Sequence, residues 1–463
     1  MASEKFKLTR EIPIEDNYDI CVAGGGPAGS AAAICAARLG AKVLLAEGLG
    51  CLGGTGTSGL VTAFDPVADG EKILVGGLMR EIIETLYNRG FIPTLLEPSR
   101  WRQYHSWTPF DAEGLKLLLD ELTEKSGVEV RFFTRVIDAD VDSQTKTVKG
   151  VILSNVEGYR YIKAKTFIDA TGDAVLSDLC GAACWEAGRD TPYIMPPTLC
   201  ALFAGMHWDQ IPRSDISPVG QQERIEQAVK DGFFSQPDRH VPGIFMGMHQ
   251  LAMMNAGHVF GMNAVNCKSL SEGLMKGRKL VQEYADFYRK YMGFQDFQLV
   301  TTAAMMGIRE SRRVQGEYVL NYNDYTARRK FPDQIAVYSI PVDIHVYDCT
   351  DEQYKRYYEE FYKTDRYAPG EYYGIPYGVL VPKGWKNLWV AGRCVSTDVK
   401  VQGSLRVQPA ASMMGQAAGV AALQSIKTGK AAADIDTKVL VETLRSQGAN
   451  LPQKKLSVKM TVA

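Results

Sequence analysis

A glycine-rich turn between an apolar run and a small-residue helix constrains this chain more than any other feature. Residues 19–29 read DICVAGGGPAG, and a second apolar run ends at Glu47. In this spacing Gly24 allows a tight turn, Gly26 brings bare backbone to a pyrophosphate, and Gly29 lets the helix pack closely on the strand. An acid at the position of Glu47 suits the ribose hydroxyls of a dinucleotide. The pattern predicts a strand, a turn, a helix and a second strand, with a dinucleotide bound at their edge.

Composition and charge exclude several other classes of protein. The chain has 463 residues, a formal net charge of −1 and 46% hydrophobic residues. Balanced charge gives no indication of a nucleic-acid partner or an anionic membrane. No apolar run approaches the length that crosses a bilayer, and the charged first ten residues lack the apolar stretch of a signal peptide.

The cysteines favour a reducing compartment. There are nine of them, an odd number, scattered along the chain. Without paired CxxC motifs, we expect neither a zinc nor an iron–sulfur centre, and no other metal site. A cytoplasmic location fits this pattern best.

The order of the segments predicts an α/β protein whose nucleotide-binding domain is interrupted by another domain. Strands and helices alternate up to about residue 184, proline and aromatic residues increase after that, and the nucleotide-domain character returns near residue 384. We predict a short tail over residues 1–17 and a Rossmann-like domain formed by 18–184 and 376–450. An inserted α+β substrate or cap domain occupies 185–375.

Local signals place several further elements. Asp111 and Gly127 are a suitable N-cap and C-cap for one helix. Ser269 with Glu272 forms a capping-box pattern for a second helix, and a long small-residue helix follows Pro409. Short strands are predicted over residues 129–133, 148–154, 159–162 and 166–169.

Later glycine turns favour a flavin over a nicotinamide cofactor. Gly53-Gly54 follows the acid, and glycine turns recur at residues 170–173 and 391–393. Each turn brings bare backbone to the carboxyl edge of a strand, where open α/β sheets bind ligands. No second GxGxxG follows a strand, so we expect no separate nicotinamide domain. Residues 55–57 read TGT, where flavoenzymes that reduce disulfides carry a cysteine pair.

These segments, with residues 307–318, 375–382 and 403–419, resemble the FAD-dependent oxidoreductases of the glutathione-reductase-like superfamily. Within it they are most similar to a broad bacterial group. The resemblance spans nearly the whole chain and implies non-covalent FAD with its isoalloxazine ring facing the inserted domain. The chain departs from the group at Gly378, where an arginine is common, and at Val399-Lys400, where a histidine–glutamate pair is common.

The resemblance also implies which residues contact the cofactor. Gly24, Gly26, Pro27 and Ala28 would meet the pyrophosphate, Glu47 the ribose, and Val136 the adenine. The remaining cofactor-binding positions are Gly48, Gly54, Ala170, Thr171, Gly172, Gly392, Arg393, Val407, Ala410 and Ala411. On physical grounds alone, a helix N-terminus near Val407 would stabilise the negative charge that reduced flavin gathers at N1.

Hydride transfer at flavin N5 also requires a group that gives or takes a proton. The candidates are His345 in the segment PVDIH, Tyr377, and His105 among aromatic residues. Each has a structural alternative as a hydrogen-bonded or packed side chain. Arg309, Arg312 and Arg313 could form an anion clamp. The alternative is that helical spacing places Arg309 and Arg313 on one face, where nearby glutamates pair with them.

The sequence therefore predicts an FAD-dependent oxidoreductase that exchanges a hydride with a CH–OH or CH–CH group of a small molecule. It predicts no nucleic-acid or membrane partner, and it leaves open a homo-oligomer or a redox partner protein. Two alternatives are an electron-transfer subunit of a larger complex and a flavin-dependent RNA-modifying enzyme. The basic clusters at 309–313 and 328–330 are short for the latter.

Overall fold

The computed structural model describes residues 6–93, 107–212, 214–240, 243–362 and 366–451. The strands of the described chain are β1 (Ile14–Ala23), β2 (Val43–Ala46), β3 (Ala63–Phe64), β4 (Thr108–Pro109), β5 (Glu129–Arg131), β6 (Arg135–Asp142), β7 (Thr147–Asn155), β8 (Gly158–Asp169), β9 (Cys184–Glu186), β10 (Ala201–Ala204), β11 (Gly243–Met246), β12 (Ala252–Asn255), β13 (Gln298–Thr302), β14 (Arg312–Val314), β15 (Gln334–Tyr338), β16 (Tyr373–Pro376) and β17 (Leu388–Val390).

The helices of the same part of the chain are α1 (Pro27–Arg38), α2 (Gly77–Asn88), α3 (Ala112–Ser126), α4 (Val175–Cys180), α5 (Pro218–Lys230), α6 (Cys267–Met292), α7 (Tyr322–Thr326), α8 (Asp351–Tyr357), α9 (Val399–Leu405), α10 (Gln408–Thr428) and α11 (Thr437–Ser446).

The main sheet has a parallel half and an antiparallel half. Strands β5, β2, β1, β8 and β17 are parallel neighbours in that order. Strands β7 and β6 extend the sheet as an antiparallel hairpin beside the first part of β8. Because β8 pairs with β17, a strand from the end of the chain completes the sheet that β1 begins. This arrangement confirms the predicted α/β fold of Rossmann type.

Helices α1 and α10 cover one face of this sheet and touch backbone to backbone. A Cβ atom on Gly415 would lie 2.0 Å from the carbonyl oxygen of Ala28, and one on Gly419 would lie 2.2 Å from that of Ala32. Both contacts advance along the two helices in the same direction, so the helices run parallel. Since α10 begins seven residues before Gly415, its N-terminus lies roughly 9 Å beyond that of α1. We call this contact, of Ala28 and Ala32 with Gly415 and Gly419, the seam. It directs both helix N-termini to the same side of the sheet.

A smaller antiparallel sheet lies in the inserted part of the chain. Its strands follow the order β11-β12-β10-β13, and it has an apolar core of its own with α6. Phe203 stacks on Phe297 in that core with ring centroids 4.3 Å apart. This is the predicted α+β insertion.

Three local predictions were wrong. Helix α6 begins at Cys267, two residues before Ser269, because the side chain of Asn266 accepts from the Ser269 N–H and caps the helix instead. The two strands predicted over 159–162 and 166–169 are one strand, β8. Residues 312–314 form β14 against β9, so Arg309 and Arg313 do not share a helix face.

Other predicted elements are confirmed. Helix α1 begins at Pro27 and α10 begins at Gln408, one residue before the predicted start. Asp111 caps α3, where its side chain accepts from the Glu113 N–H, and Gly127 ends it with a left-handed φ of 74°. Among the described residues, no helix has the length and apolar character needed to span a bilayer.

Candidate cofactor cleft and histidine cluster

The first glycine turn has the geometry that its sequence predicts. Gly24 has a φ of +94°, and its N–H donates to the Ala46 carbonyl at 2.8 Å. A Cβ there would lie 2.6 Å from the carbonyl oxygen of Ala170, and a Cβ on Gly29 would lie 1.7 Å from that of Gly24. Both positions thus require glycine for the chain to turn and for α1 to approach the sheet.

Gly26 differs because its surroundings are open. A Cβ on Gly26 would meet no atom within 4 Å, and the residue has an ordinary extended backbone. No side chain caps α1, which starts with Pro27, and the first helical hydrogen bond is donated by Ser30. The amides of Ala28 and Gly29 are therefore left for a ligand. Open space beside free helix-terminal amides is the geometry that binds phosphate.

Glu47 is buried and holds the turn. Its Oε2 accepts from the N–H of Gly25 at 2.6 Å, and its Oε1 accepts from the N–H of Leu49 at 2.7 Å. The next residue, Gly48, lies against the Arg135 side chain, where a Cβ would be 2.9 Å from Nε. The residue predicted beside the adenine, Val136, is the second residue of β6 and directly follows that arginine.

Asp169 organises the turn after β8, although sequence reasoning gave this residue no role. The buried Asp169 carboxylate accepts from the N–H and hydroxyl of Thr171 and from the N–H of Ser177. Burial raises its pKa. These bonds shape the turn from Ala170 to Gly172, where φ at Gly172 is +76°.

Three predicted segments converge at Gly392. A Cβ on this residue, whose φ is +88°, would lie 3.1 Å from Cβ of Ala28 and 3.9 Å from Cβ of Ala411. The neighbouring Arg393 ties two turns together, because Nε donates to the Gly172 carbonyl at 2.9 Å and Nη2 pairs with Asp173 at 2.5 Å. The first turns of α1 and α10 therefore both lie beside Gly392, at the same edge of the sheet.

The start of α10 carries buried polar atoms without partners. Val407 is the N-cap residue and provides no side-chain cap. Arg406 Nε, Gln408 Oε1 and Ser412 Oγ are buried and form no hydrogen bond within the described part of the chain. A Cβ on Gly56 would lie 2.3 Å from Gln408 Oε1, so this helix end faces the paired-glycine loop. Unsatisfied buried polar atoms are costly, so these atoms are available to a polar ligand.

His345 belongs to a cluster of three histidines, His240, His258 and His345, which we call the histidine cluster. Nε2 of His258 lies 2.8 Å from Nδ1 of His345. Nδ1 of His258 lies 3.0 Å from Asp238, and Nε2 of His345 lies 3.3 Å from Asp343. Burial lowers the pKa of His240 to about 3 and, together with the charge of Arg309, holds that of His345 well below its ordinary value.

The cluster is connected to the N-terminus of α10. Asp343 accepts from Nη2 of Arg406 at 2.6 Å, and Arg406 immediately precedes the N-cap of α10. The carboxyl group of Asp65 lies within reach of the Asp343 charge. Burial, and then this charge, raise the pKa of Asp65 to about 8. Oδ1 of Asp65 is buried and has no partner among the described residues.

Arg309 adds a buried positive charge beside the cluster. Its guanidinium donates to the Pro196 carbonyl at 2.7 Å and the Thr198 hydroxyl at 2.8 Å, both of which are neutral. Within the described ranges no carboxylate pairs with it, and burial lowers its pKa to about 10. Thr198 also forms a backbone bridge with His258, so Arg309 and the cluster are neighbours. This arrangement suits an anionic ligand.

The other two catalytic candidates lie elsewhere. The Tyr377 hydroxyl is buried, donates to the Ala432 carbonyl at 2.7 Å and accepts from Trp389 Nε1 at 2.8 Å. These bonds favour its packing alternative. His105 lies outside the described residues.

Sequence reasoning missed most of the histidine cluster. No short motif joins the histidine cluster to its polar partners, because many residues separate Asp238, His258, His345 and Arg406. The D-x-H spacing occurs twice in this cluster, at Asp238 with His240 and at Asp343 with His345, and it could have drawn attention to paired carboxylates and imidazoles.

Comparison with known families gives one match over most of the chain. A family model described as FAD dependent oxidoreductase matches residues 19–444. A shorter match joins the chain to the mitochondrial dihydrolipoyl dehydrogenase of Schizosaccharomyces pombe, with 30% identity over 173 residues. That match covers 34% of this chain and 29% of the yeast protein.

Two solved structures resemble the chain distantly. One is a geranylgeranyl bacteriochlorophyll reductase-like protein from Thermoplasma acidophilum, with 13% identity and a TM-score of 0.47, which covers 94% of this chain and 83% of its own. The other is an L-proline dehydrogenase from P. horikoshii, with 11% identity and a TM-score of 0.40, which covers 94% of this chain and 99% of its own.

Proposed function

This chain belongs to the family of FAD dependent oxidoreductases, whose model matches residues 19–444, and from this premise we propose that it exchanges a hydride between flavin N5 and a small-molecule substrate. The substrate carries a CH–OH or CH–CH group. The observation that carries the proposal is the continuous set of contacts from the histidine cluster through Asp343 to Arg406, at the N-terminus of α10.

The cleft would hold FAD along the edge of the main sheet. The diphosphate would lie over Gly26 and the free amides of α1, with Gly24, Pro27 and Ala28 around it. The ribose would lie by Glu47. The other positions that we propose to line the cofactor are Gly48, Gly54, Val136, Ala170, Thr171, Gly172, Gly392, Arg393, Val407, Ala410 and Ala411. The open space at Gly26 and the unpartnered polar atoms at the start of α10 support this placement.

When bound, FAD supplies a two-electron acceptor or donor at N5. The chain supplies the electrostatics. Helix α10 directs its uncapped positive end at the cleft, which favours negative charge there. The histidine cluster contacts the substrate oxygen and stabilises the ionised form of that oxygen while the hydride is transferred. Arg309, which lacks a carboxylate partner among the described residues, would hold an anionic group of the substrate.

In this proposal, different parts of the chain bind the cofactor and cover the substrate. Residues 18–184 and 376–450 would bind the cofactor, and residues 185–375 would cover the substrate. His258, Arg309 and His345 all lie in the covering part. An electron-transfer subunit has no need of a buried histidine cluster, so the cluster favours a substrate-converting enzyme. The partial match to a dihydrolipoyl dehydrogenase supports placement in the glutathione-reductase-like superfamily.

The test is anaerobic bleaching of the flavin absorbance by a panel of compounds. We expect a small hydroxy acid to bleach the flavin faster than the matched uncharged polyol, because Arg309 favours an anion. His345→Gln should slow bleaching by at least about a hundredfold, the scale of acid–base catalysis. His249→Gln, on an exposed histidine, should leave the rate unchanged. Equal rates in the wild type and His345→Gln would contradict the role of the cluster.

A further inference from the structure

The three rings of the histidine cluster are close enough to share one ligand. The centroid of His240 lies 4.7 Å from that of His258 and 4.9 Å from that of His345. One nitrogen of each ring can be chosen so that all three lie within 4.8 Å of one another. His258 and His345 are buried and His240 is partly buried.

Two neutral rings would carry fewer protons than the contacts of His258 and His345 require. A neutral imidazole carries a single N–H. His258 and His345 together make three close contacts, with Asp238 at 3.0 Å, with Asp343 at 3.3 Å and with each other at 2.8 Å. If each N–H faces a carboxylate, two lone pairs face each other across the 2.8 Å gap. A positive ion between the two nitrogens would accept both lone pairs.

The third ring determines which ion fits. The backbone N–H of His240 donates to Asp238 at 3.0 Å, which fixes the residue beside the pair. Its ring nitrogens form no hydrogen bond within the described part of the chain. A shared proton would satisfy His258 and His345 and leave His240 without a role. A metal ion uses all three rings.

We propose that His240, His258 and His345 bind one divalent transition-metal ion of the zinc type. Imidazole nitrogen suits such ions, and three protein ligands with an open fourth position are typical of catalytic zinc sites. Bonds of about 2.0–2.1 Å place tetrahedral ligand nitrogens roughly 3.3 Å apart, so the facing nitrogens need to separate by only about half an ångström. Asp238 and Asp343 orient two of the rings by accepting their outer N–H groups, as carboxylates commonly do around metal-bound histidines.

The open position would take an anionic oxygen. Two guanidinium groups beside the cluster can attract that oxygen: that of Arg309, which has no carboxylate partner among the described residues, and that of Arg406, which pairs with Asp343 through Nη2 and has an unpartnered Nε. A hydroxyl group bound to such an ion would release its proton to water more readily. The CH–OH carbon would then be oxidised to C=O as its hydride passes to the flavin of the proposed function. This use of the ion depends on the proposed function, whereas binding of the ion depends on the histidines alone.

The test measures metal in the flavin-loaded protein, purified without a polyhistidine tag and dialysed against excess Zn²⁺ and then against buffer. We expect one ion per chain by mass spectrometry, and an X-ray absorption spectrum fitted by three imidazole nitrogens. His207→Ala, on an exposed histidine, is the matched control and should retain the ion. His240→Ala should lower occupancy at least about tenfold without unfolding the chain, because that ring forms no hydrogen bond within the described part of the chain.

Asp238→Asn gives a second readout, since loss of an orienting carboxylate weakens metal binding by roughly 10–100-fold. Wild-type protein without bound zinc after dialysis, or occupancy equal in wild type and His240→Ala, would overturn the proposal in favour of a shared proton. If substrate still bleaches the flavin of such metal-free protein, the proposed function stands and the metal site alone is wrong. If zinc binds through the three rings and no substrate bleaches the flavin, the metal site stands and the function is wrong.

Discussion

At the scale of single residues, the glycines of the first turn serve two different purposes. Gly24 and Gly29 have no room for a side chain, because a Cβ would collide with the backbone. Gly26 has room and an ordinary extended backbone, so the folded chain alone gives no reason for glycine there. The sequence motif predicted all three positions. Only the structure separates the two glycines that the fold requires from the one that the fold leaves unexplained.

Gly26→Ala should therefore weaken cofactor binding without unfolding the protein. The added methyl group occupies the open space where we place the diphosphate, and we expect at least about tenfold weaker FAD binding, or roughly 1.4 kcal/mol. Apoprotein stability should change by no more than about 1 kcal/mol, since alanine accepts this backbone conformation. Fluorescence titration of apoprotein with FAD measures the affinity.

Gly247→Ala is the matched control. Its φ is −89° and a Cβ would meet its nearest atom at 3.6 Å, so it should change neither FAD affinity nor stability. Unchanged FAD affinity in Gly26→Ala would place the diphosphate elsewhere.

At the scale of elements, the seam between α1 and α10 positions both helix N-termini. The sequence predicted each helix from its small residues and its proline start, because these signals are local. It could not predict that the two helices touch at Gly415 and Gly419, since this contact joins the first and last thirds of the chain. Local signals also failed where two caps compete, as at Asn266 and Ser269, and where strand pairing prevails over helical spacing, as at residues 312–314.

Gly415→Ala should destabilise the protein by about 1–3 kcal/mol, although alanine favours helix over glycine by about 1 kcal/mol. The new Cβ would lie 2.0 Å from a backbone carbonyl, so the two helices must separate. Urea denaturation measures the loss.

Gly273→Ala in α6 is the matched comparison. Its Cβ would lie 2.3 Å from the Met262 sulfur, the end of a flexible side chain that can move away. We expect the free energy of unfolding to stay within about 1 kcal/mol of the wild-type value. Equal stability of the two variants would mean that the seam is not tightly packed.

At the scale of the whole molecule, the chain brings distant segments to one edge of a parallel sheet. The first glycine turn, the turn after β8 and the start of α10 lie together there. The glycine motifs predicted this edge because each carries its signature within a few residues. The histidine cluster could not be predicted in this way, because its residues come from loops of the inserted region and meet only in the folded chain.

The most direct test of this account is the cofactor content of the purified protein. We expect a yellow protein that releases one FAD per chain on heat denaturation, identified by mass spectrometry and by its absorption spectrum. Added FAD should raise the melting temperature of the apoprotein in a concentration-dependent way. A colourless protein that neither takes up FAD nor gains stability from it, or one that carries only a nicotinamide nucleotide, would contradict the account.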